Sequence, residues 1–119
     1  MYFLQTNDVE LTSIAKNKSS KEMAKKVLEV GQPRLLNLYS KHDIEATSFF
    51  TGDIVELEPE IVDITKDRGH EIACHGYDHD SSKGFDTKNL QEQVFELNKC
   101  KKIFKDNFNF VPTTFKSPE

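Results

Sequence analysis

Residues 69–79, which read GHEIACHGYDH, decide the fold that this sequence predicts. Residues 70–73 are predicted to form a short strand, and His75 and His79 follow it four residues apart. Two imidazoles at this spacing can face the same way on one helical turn, within reach of one divalent metal. In α/β folds, active sites are built at the carboxyl ends of the strands. The stretch therefore predicts a strand that leads directly into a metal site.

A bare pair of histidines at this spacing is also compatible with two polar side chains in a solvated loop. The acidic residues Asp8 and Glu10, at the end of the first predicted strand, favour the metal interpretation. A metal held by two histidines and one carboxylate keeps coordination sites open for water and substrate. His70, which opens the strand, is predicted to be a structural histidine rather than a ligand.

Strand-like and helix-like segments alternate along the chain. Strands are predicted at residues 2–6, 46–50, 70–73 and 113–116. This alternation predicts parallel strands joined by right-handed crossovers. A (β/α) barrel needs about eight strands and typically about 250 residues, so four strands do not close one. The prediction is the first part of a larger barrel, with residues 1–119 treated as one domain.

Two helices are predicted between the first and second strands. Ser19 or Ser20 is the predicted N-cap of the first helix, Glu22 can complete a capping box, and Gly31 is the predicted stop. Pro33 is predicted to start the second helix, because proline is tolerated at the first helical position.

Two further helices are predicted after the second and third strands. One follows Pro59 and ends near Gly69. The other is long, and its apolar residues recur with a period near 3.6 as far as Phe104. Asp86 or Thr87 is its predicted N-cap.

Composition limits the classes of function. The chain has 119 residues, a net charge of −4 and 30% charged residues, which is typical of a globular domain. Its lysines are scattered rather than clustered, which argues against a nucleic-acid partner. No apolar run approaches the roughly 18 residues of a membrane span, and the N-terminus does not resemble a signal peptide. Cys74 and Cys100 are predicted to be packed, reduced thiols, and together these features favour the cytoplasm.

Three stretches carry a resemblance to a known family. Residues 46–52 are similar to an A-T-F-F-x-x-G strand, residues 69–79 to a G-H-E-I-x-x-H-G/S-x-x-H motif, and residues 115–118 to an F-R-x-P segment. The chain resembles the polysaccharide deacetylases, also called the NodB-homology or carbohydrate esterase 4 family, from Phe3 to Glu119. The resemblance implies an α/β fold, namely an incomplete (β/α) barrel of the NodB type with about four parallel strands and intervening helices.

The resemblance also assigns roles to single residues. His75 and His79 match the two histidine ligands of the family. Asp8 matches the catalytic base, and Glu10 matches the third ligand of the family's D-V-D/E variant, which lies two residues past the base. A second register makes Asp8 the ligand and places Asn7 at the base position. The sequence leaves this choice open.

Lys116 stands where the family has an arginine that orients and electrostatically supports the catalytic aspartate. Lysine keeps the positive charge but lacks the planar pair of donors, so the exchange is not neutral. The family's later motifs, including its general-acid histidine, would lie beyond Glu119.

The resemblance implies a hydrolase that uses a divalent metal, often zinc, to remove acetyl groups from N-acetylated sugars or polysaccharides. Two alternatives stay open: a cyclic-amide hydrolase on the same fold, or a non-catalytic fragment that binds metal or glycan. The implied partners are a carbohydrate substrate and either the remainder of the barrel or an oligomer partner.

Overall fold

The computed structural model describes residues 3–11, 21–79 and 83–118, in which strands and helices alternate. The elements in chain order are β1 Gln5–Val9, α1 Lys21–Lys26, a π-helical turn Val27–Gly31, α2 Gln32–Lys41, β2 Ala46–Phe50, α3 Gly52–Leu57, α4 Glu60–Lys66, β3 Glu71–Cys74, a 3₁₀ turn Phe85–Thr87 and α5 Leu90–Phe108. Each helix within the described ranges is too short or too polar to cross a membrane.

The three strands form a parallel sheet in the order β1-β2-β3. The register aligns their carboxyl ends, because Val9 pairs with Phe50 and Phe50 pairs with Cys74. The residue that follows each strand therefore lies at the same edge of the sheet. Glu10 and His75 are two of these residues, so strand pairing alone brings the acidic and histidine motifs to one edge.

The fourth strand that the sequence predicts is present as a single parallel bridge between Cys74 and Phe115. The Lys116 amide donates to the Cys74 carbonyl at 3.0 Å, and the ladder stops there. It stops because the Lys116 carbonyl accepts a hydrogen bond from the His75 ring and Pro118 has no N–H to donate. The described residues thus hold a three-stranded sheet with one bridged edge.

β1 begins and ends later than residues 2–6, where the sequence predicts it. Its register with β2 draws the polar residues Asn7 and Asp8 into the strand. The Ser48 hydroxyl donates to the Asn7 side-chain oxygen at 3.0 Å, which gives that polar group a partner beside the neighbouring strand. Cross-strand pairing here outweighs the low strand propensity of Asn and Asp.

Gly31 does not end a helix, so that part of the prediction is wrong. It keeps helical dihedrals, with φ −64° and ψ −60°, and the π-helical turn carries α1 directly into α2. The wider turn accommodates Pro33 near the start of α2, because proline has no N–H for the regular helical ladder. The predicted caps at Ser19 and Ser20 lie outside the described residues.

Asp86 and Thr87 do not cap α5, contrary to the sequence prediction, because they lie in the preceding 3₁₀ turn. The N-cap is Asn89, whose side chain accepts a hydrogen bond from the Glu92 amide at 3.0 Å. The Glu92 carboxylate accepts one from the Asn89 amide at 2.9 Å. This reciprocal capping box satisfies two donors that the first turn would otherwise expose.

The short helix α3 is not predicted from the sequence. Its first turn is held by Asp53, which accepts hydrogen bonds from the Thr51 hydroxyl at 2.5 Å and from the Ile54 amide at 2.7 Å. The helix thereby directs Ile54 into the core. Fully buried apolar side chains of the core include Phe50, Ile54, Ile61, Val62 and Phe104. Each contributes about 1.5–3 kcal/mol by leaving water.

Candidate metal centre

Three predicted ligands meet at the carboxyl edge of the sheet. Glu10 Oε2 lies 3.6 Å from His75 Nε2 and 3.5 Å from His79 Nε2. One ligand atom from each of the three residues lies within 4.8 Å of the others. Two ligands about 2.1 Å from one tetrahedral zinc ion stand about 3.4 Å apart. The two carboxylate–imidazole separations are therefore close to those of a zinc site.

His75 is fixed by the backbone on two sides. Its amide donates to the Phe50 carbonyl at 2.8 Å, and its ring Nδ1 lies 2.9 Å from the Lys116 carbonyl oxygen. Because a carbonyl oxygen can only accept, Nδ1 carries the proton in this contact. The lone pair of the neutral ring is then on Nε2, the nitrogen that faces Glu10.

The segment between the two histidines is an irregular turn, not the helical turn that the spacing suggests. Gly76 has a φ of +76°, which bends the chain sharply after His75. Gly52 and Asp53 donate their amides to the carbonyls of Gly76 and Tyr77 at 2.9 and 2.8 Å. The start of α3 therefore anchors the turn and returns His79 toward His75.

The carboxylate of Glu10 has surroundings that fit a cation. Its Oε2 atom is buried and has no hydrogen-bond partner among the described residues. It faces the Nε2 atoms of His75 and His79, and the His75 atom is a lone-pair acceptor in the tautomer above. A buried carboxylate oxygen that receives no hydrogen bond and faces the lone pair of His75 is unfavourable unless a cation or a proton lies between them. The donor set therefore fits a divalent metal ion.

Asp8 lies beside the three ligands and is paired with Lys116. The Lys116 Nζ atom donates to Asp8 Oδ2 at 2.6 Å, and the same oxygen is 3.8 Å from His75 Nε2. The ammonium group of Lys116 also stands 5.8 Å from the centre of the Phe49 ring. Lys116 is therefore paired with the proposed base, and its supporting role stays a prediction.

Asn7 and Asp8 are neighbours on β1, so their side chains point to opposite faces of the sheet. Asn7 accepts from Ser48 on one face, and Asp8 meets Lys116 and His75 on the other. This geometry favours the register in which Asp8 is the base and Glu10 the ligand. The roles themselves stay predictions.

Cys74 and Cys100 are both buried free thiols, and their side chains interact with each other. A hydrogen bond from Cys100 lowers the pKa of Cys74. The same contact, together with burial, raises the pKa of Cys100. The prediction that they are packed thiols agrees with their burial, but their contact is not evident from a separation of 26 residues.

Glu96 is a residue of the site that the sequence interpretation missed. It belongs to the buried stripe of α5 together with Cys100, Ile103 and Phe104, at helical spacing. Its carboxylate accepts a hydrogen bond from the Tyr77 amide, between the two histidines, at 2.9 Å. The available signal was a charged residue at an otherwise apolar position of a helix.

A parallel α/β sheet with two histidines and a carboxylate at its carboxyl edge is typical of metal-dependent hydrolases. The chain belongs to the polysaccharide deacetylase family, whose model matches residues 13–119. A peptidoglycan deacetylase of Helicobacter pylori is 37% identical to it over 90 residues, which are 76% of this chain and 30% of that protein. The chain therefore spans less than a third of this relative.

Solved structures share the fold. A peptidoglycan deacetylase from Bacillus subtilis aligns with a TM-score of 0.66 and 18% identity, over 97% of this chain and 48% of that one. A CE4 family pseudoenzyme from Bacillus anthracis aligns with a TM-score of 0.69 and 23% identity, over 97% of this chain and 34% of that one. At these identities the likeness shows the fold alone, and it confirms the predicted NodB-type barrel in part-length form.

Proposed function

We propose that this protein binds a divalent metal, with zinc as the first candidate, through Glu10, His75 and His79. We propose further that it removes acetyl groups from an N-acetylated polysaccharide. The convergence of these three side chains around the donorless Glu10 oxygen carries the proposal. The reaction class is supported by the family and by a relative whose name is peptidoglycan deacetylase.

The chain's own residues would hold the reactants and move the proton. A zinc ion at this site would polarise the acetyl carbonyl and lower the pKa of its bound water to about 7. Asp8 is placed to accept the proton of that water, a contribution of about 10²–10⁴-fold for a general base. Lys116 fixes one Asp8 oxygen through the 2.6 Å ion pair and so keeps the carboxylate oriented.

Lys116 connects the base to a ligand. Its ammonium group holds Asp8, while its backbone carbonyl holds the His75 ring at 2.9 Å. One residue at the bridged edge of the sheet therefore orients both the proposed base and a proposed ligand. Substitution of its side chain would disturb the first contact and keep the second.

The leaving amine also needs a proton. His42 precedes β2 and His70 precedes β3, so both lie at the opposite edge of the sheet from the metal centre. The family's general-acid histidine thus has no counterpart at this edge within the described residues. Full turnover on this proposal needs a proton donor from elsewhere.

Binding of metal or glycan without turnover is the second candidate. It is supported by the CE4 family pseudoenzyme that shares this fold. Large apolar side chains are exposed on α5 and at the bridged edge: Leu90, Val94, Phe95 and Phe115. They support a partner at this surface, either the remainder of a barrel or a second subunit.

The test combines metal analysis with an acetate assay. The 119-residue chain, its His75→Ala variant and the control His42→Ala are loaded with zinc, and the metal content is measured. We expect one ion per chain, lost in His75→Ala and kept in the control. Acetate release from N-acetylglucosamine oligomers supports hydrolysis, whereas zinc binding without release supports the second candidate. Absence of zinc in the wild-type chain contradicts the proposed site.

A further inference from the structure

A buried carboxylate from α5 reaches the turn that separates the two proposed histidine ligands. Glu96 is 7% exposed, and its Oε1 atom accepts the Tyr77 amide at 2.9 Å. Its Oε2 atom accepts the ammonium group of Lys88, which is itself largely buried. Both oxygens therefore have partners, as a buried carboxylate requires.

The same carboxylate is packed against Gly76. A Cβ atom added at Gly76 would lie 2.9 Å from Glu96 Oε1 and 2.9 Å from a ring carbon of Pro118. Gly76 also adopts a φ of +76°, which side chains other than glycine rarely tolerate. The turn is thus confined between α5 on one side and the segment after Phe115 on the other.

Three backbone groups hold the turn, and Glu96 supplies the partner of one of them. The carbonyls of Gly76 and Tyr77 accept amides from the start of α3, and the Tyr77 amide donates to Glu96. The turn begins at His75 and ends at His79, so its shape determines the separation of the two imidazoles. Their ring centres stand 5.9 Å apart.

We infer that Glu96 is a positioning residue that sets the geometry of the His75–His79 turn and thereby the affinity of the metal centre. The inference rests on the proposed metal site. Glu96 does not contact the ion in this role, and it acts through the Tyr77 amide. Groups that orient metal ligands typically change metal affinity by about 10–100-fold when they are removed.

The test compares two double variants of equal size. Glu96→Gln with Lys88→Met keeps a carbonyl acceptor for the Tyr77 amide and removes both charges. Glu96→Leu with Lys88→Met removes the same charges and nearly the same volume but has no acceptor. Phe104→Leu, in the core of α5 away from the turn, controls for general destabilisation.

Two measurements are made on each chain. Zinc affinity is measured by competition with a chromophoric chelator, and amide hydrogen exchange of Tyr77 is measured by NMR without metal. We expect the Leu double variant to lose about 10–100-fold in zinc affinity and to exchange the Tyr77 amide faster. The Gln double variant and Phe104→Leu should stay close to the wild type in both.

Equal zinc affinity in the Gln and Leu double variants overturns the inference and preserves the proposed function. An equal loss in Phe104→Leu also overturns it, because the effect would then be global. If the wild-type chain binds no zinc, the proposed function fails. The part of the inference that concerns affinity fails with it, and the exchange of Tyr77 still tests whether Glu96 holds the turn, since equal rates in the two double variants contradict that role.

Discussion

β3 is preceded and followed by a buried histidine, and the two differ in what the backbone does to the ring. His70, 6% exposed, accepts the Ala46 amide on Nδ1 at 3.2 Å. His75, 2% exposed, donates from Nδ1 to the Lys116 carbonyl at 2.9 Å. A neutral imidazole has one N–H, so His70 carries it on Nε2 and His75 carries it on Nδ1. The two ends of one strand therefore select opposite tautomers.

The surroundings of the Nε2 atom also differ between His70 and His75. His70 packs on the Tyr39 ring, at 5.4 Å between ring centres, and its Nε2 has no hydrogen-bond partner within the described part of the chain. His75 Nε2 faces the carboxylates of Glu10 and Asp8. Burial is alike at the two ends, so burial does not distinguish a ligand from a structural histidine. The direction of the backbone hydrogen bond does.

The largest expected effect separates these histidines directly. His75→Ala should lower zinc affinity by at least about 100-fold, more than the loss of a supporting group, because a ligand itself is removed. His70→Asn, which keeps an acceptor for the Ala46 amide, should leave zinc affinity unchanged. Isothermal titration of both variants measures the difference. Similar losses in both would abolish the distinction between the two ends.

The glycines beside these histidines give the next comparison. Gly69 and Gly76 both have positive φ, but a Cβ atom at Gly69 would meet nothing within 4 Å. Gly69→Ala should cost about 1–2 kcal/mol of unfolding free energy from the backbone alone. Gly76→Ala should cost a further 1–3 kcal/mol or so, because the methyl group overlaps Glu96 and Pro118. Urea unfolding of the two variants checks this order.

Removal of the acceptor nitrogen of His70 tests the hydrogen bond at the amino end of β3 separately from the metal centre. His70→Leu leaves the Ala46 amide without a partner and should lower the free energy of unfolding by about 1–3 kcal/mol. His70→Asn should restore most of the loss. Thermal unfolding of the two variants is the measurement. Equal stability would mean that the hydrogen bond from the Ala46 amide contributes nothing.

The smallest effect concerns the carboxylate of Glu71. Glu71 accepts the hydroxyls of Thr47 and Thr114 at 2.5 and 2.7 Å, and these bonds hold its pKa below the usual 4.5. The unfolded chain therefore binds this proton more tightly, and the stabilisation is present above pH 4.5 and disappears as the pH falls through the lowered pKa. Glu71 is exposed, so Glu71→Gln should cost less than about 1 kcal/mol at pH 7.

Urea unfolding of the wild type and Glu71→Gln at several pH values measures this contribution. The difference between the two chains should shrink as the solution becomes acidic. A difference that grows on acidification would show that the hydroxyl contacts do not stabilise the ionised carboxylate.

The sequence predicted the features that depend on pattern and spacing. The strand before His75, the parallel order and the proximity of Glu10 to the histidines follow from alternating segments and from the common carboxyl edge of parallel strands. That these residues bind metal stays a prediction. The choice between the two registers could not be made, because it depends on whether Asn7 or Asp8 points to the histidine side of β1.

The rest depends on contacts between distant segments. α3 forms because Asp53 satisfies its first turn, and the Gly31 stop fails because a π-helical turn absorbs Pro33. Asn89 outcompetes Asp86 and Thr87 as a cap, although all three are good cap residues. Glu96 could not be assigned, because its partner amide lies 19 residues away on a turn of unpredicted shape.

The alignment of the carboxyl ends of the three strands has a consequence for insertions and deletions. Val9 and Cys74 both pair with Phe50, and Glu10 and His75 are the residues that directly follow them. One residue added to or removed from β1 or β3 would shift the following side chain, Glu10 or His75, by about 3.3 Å along the strand. It would also turn that side chain to the opposite face of the sheet. Length variation among relatives that keep this site should therefore be confined to the helices and connections.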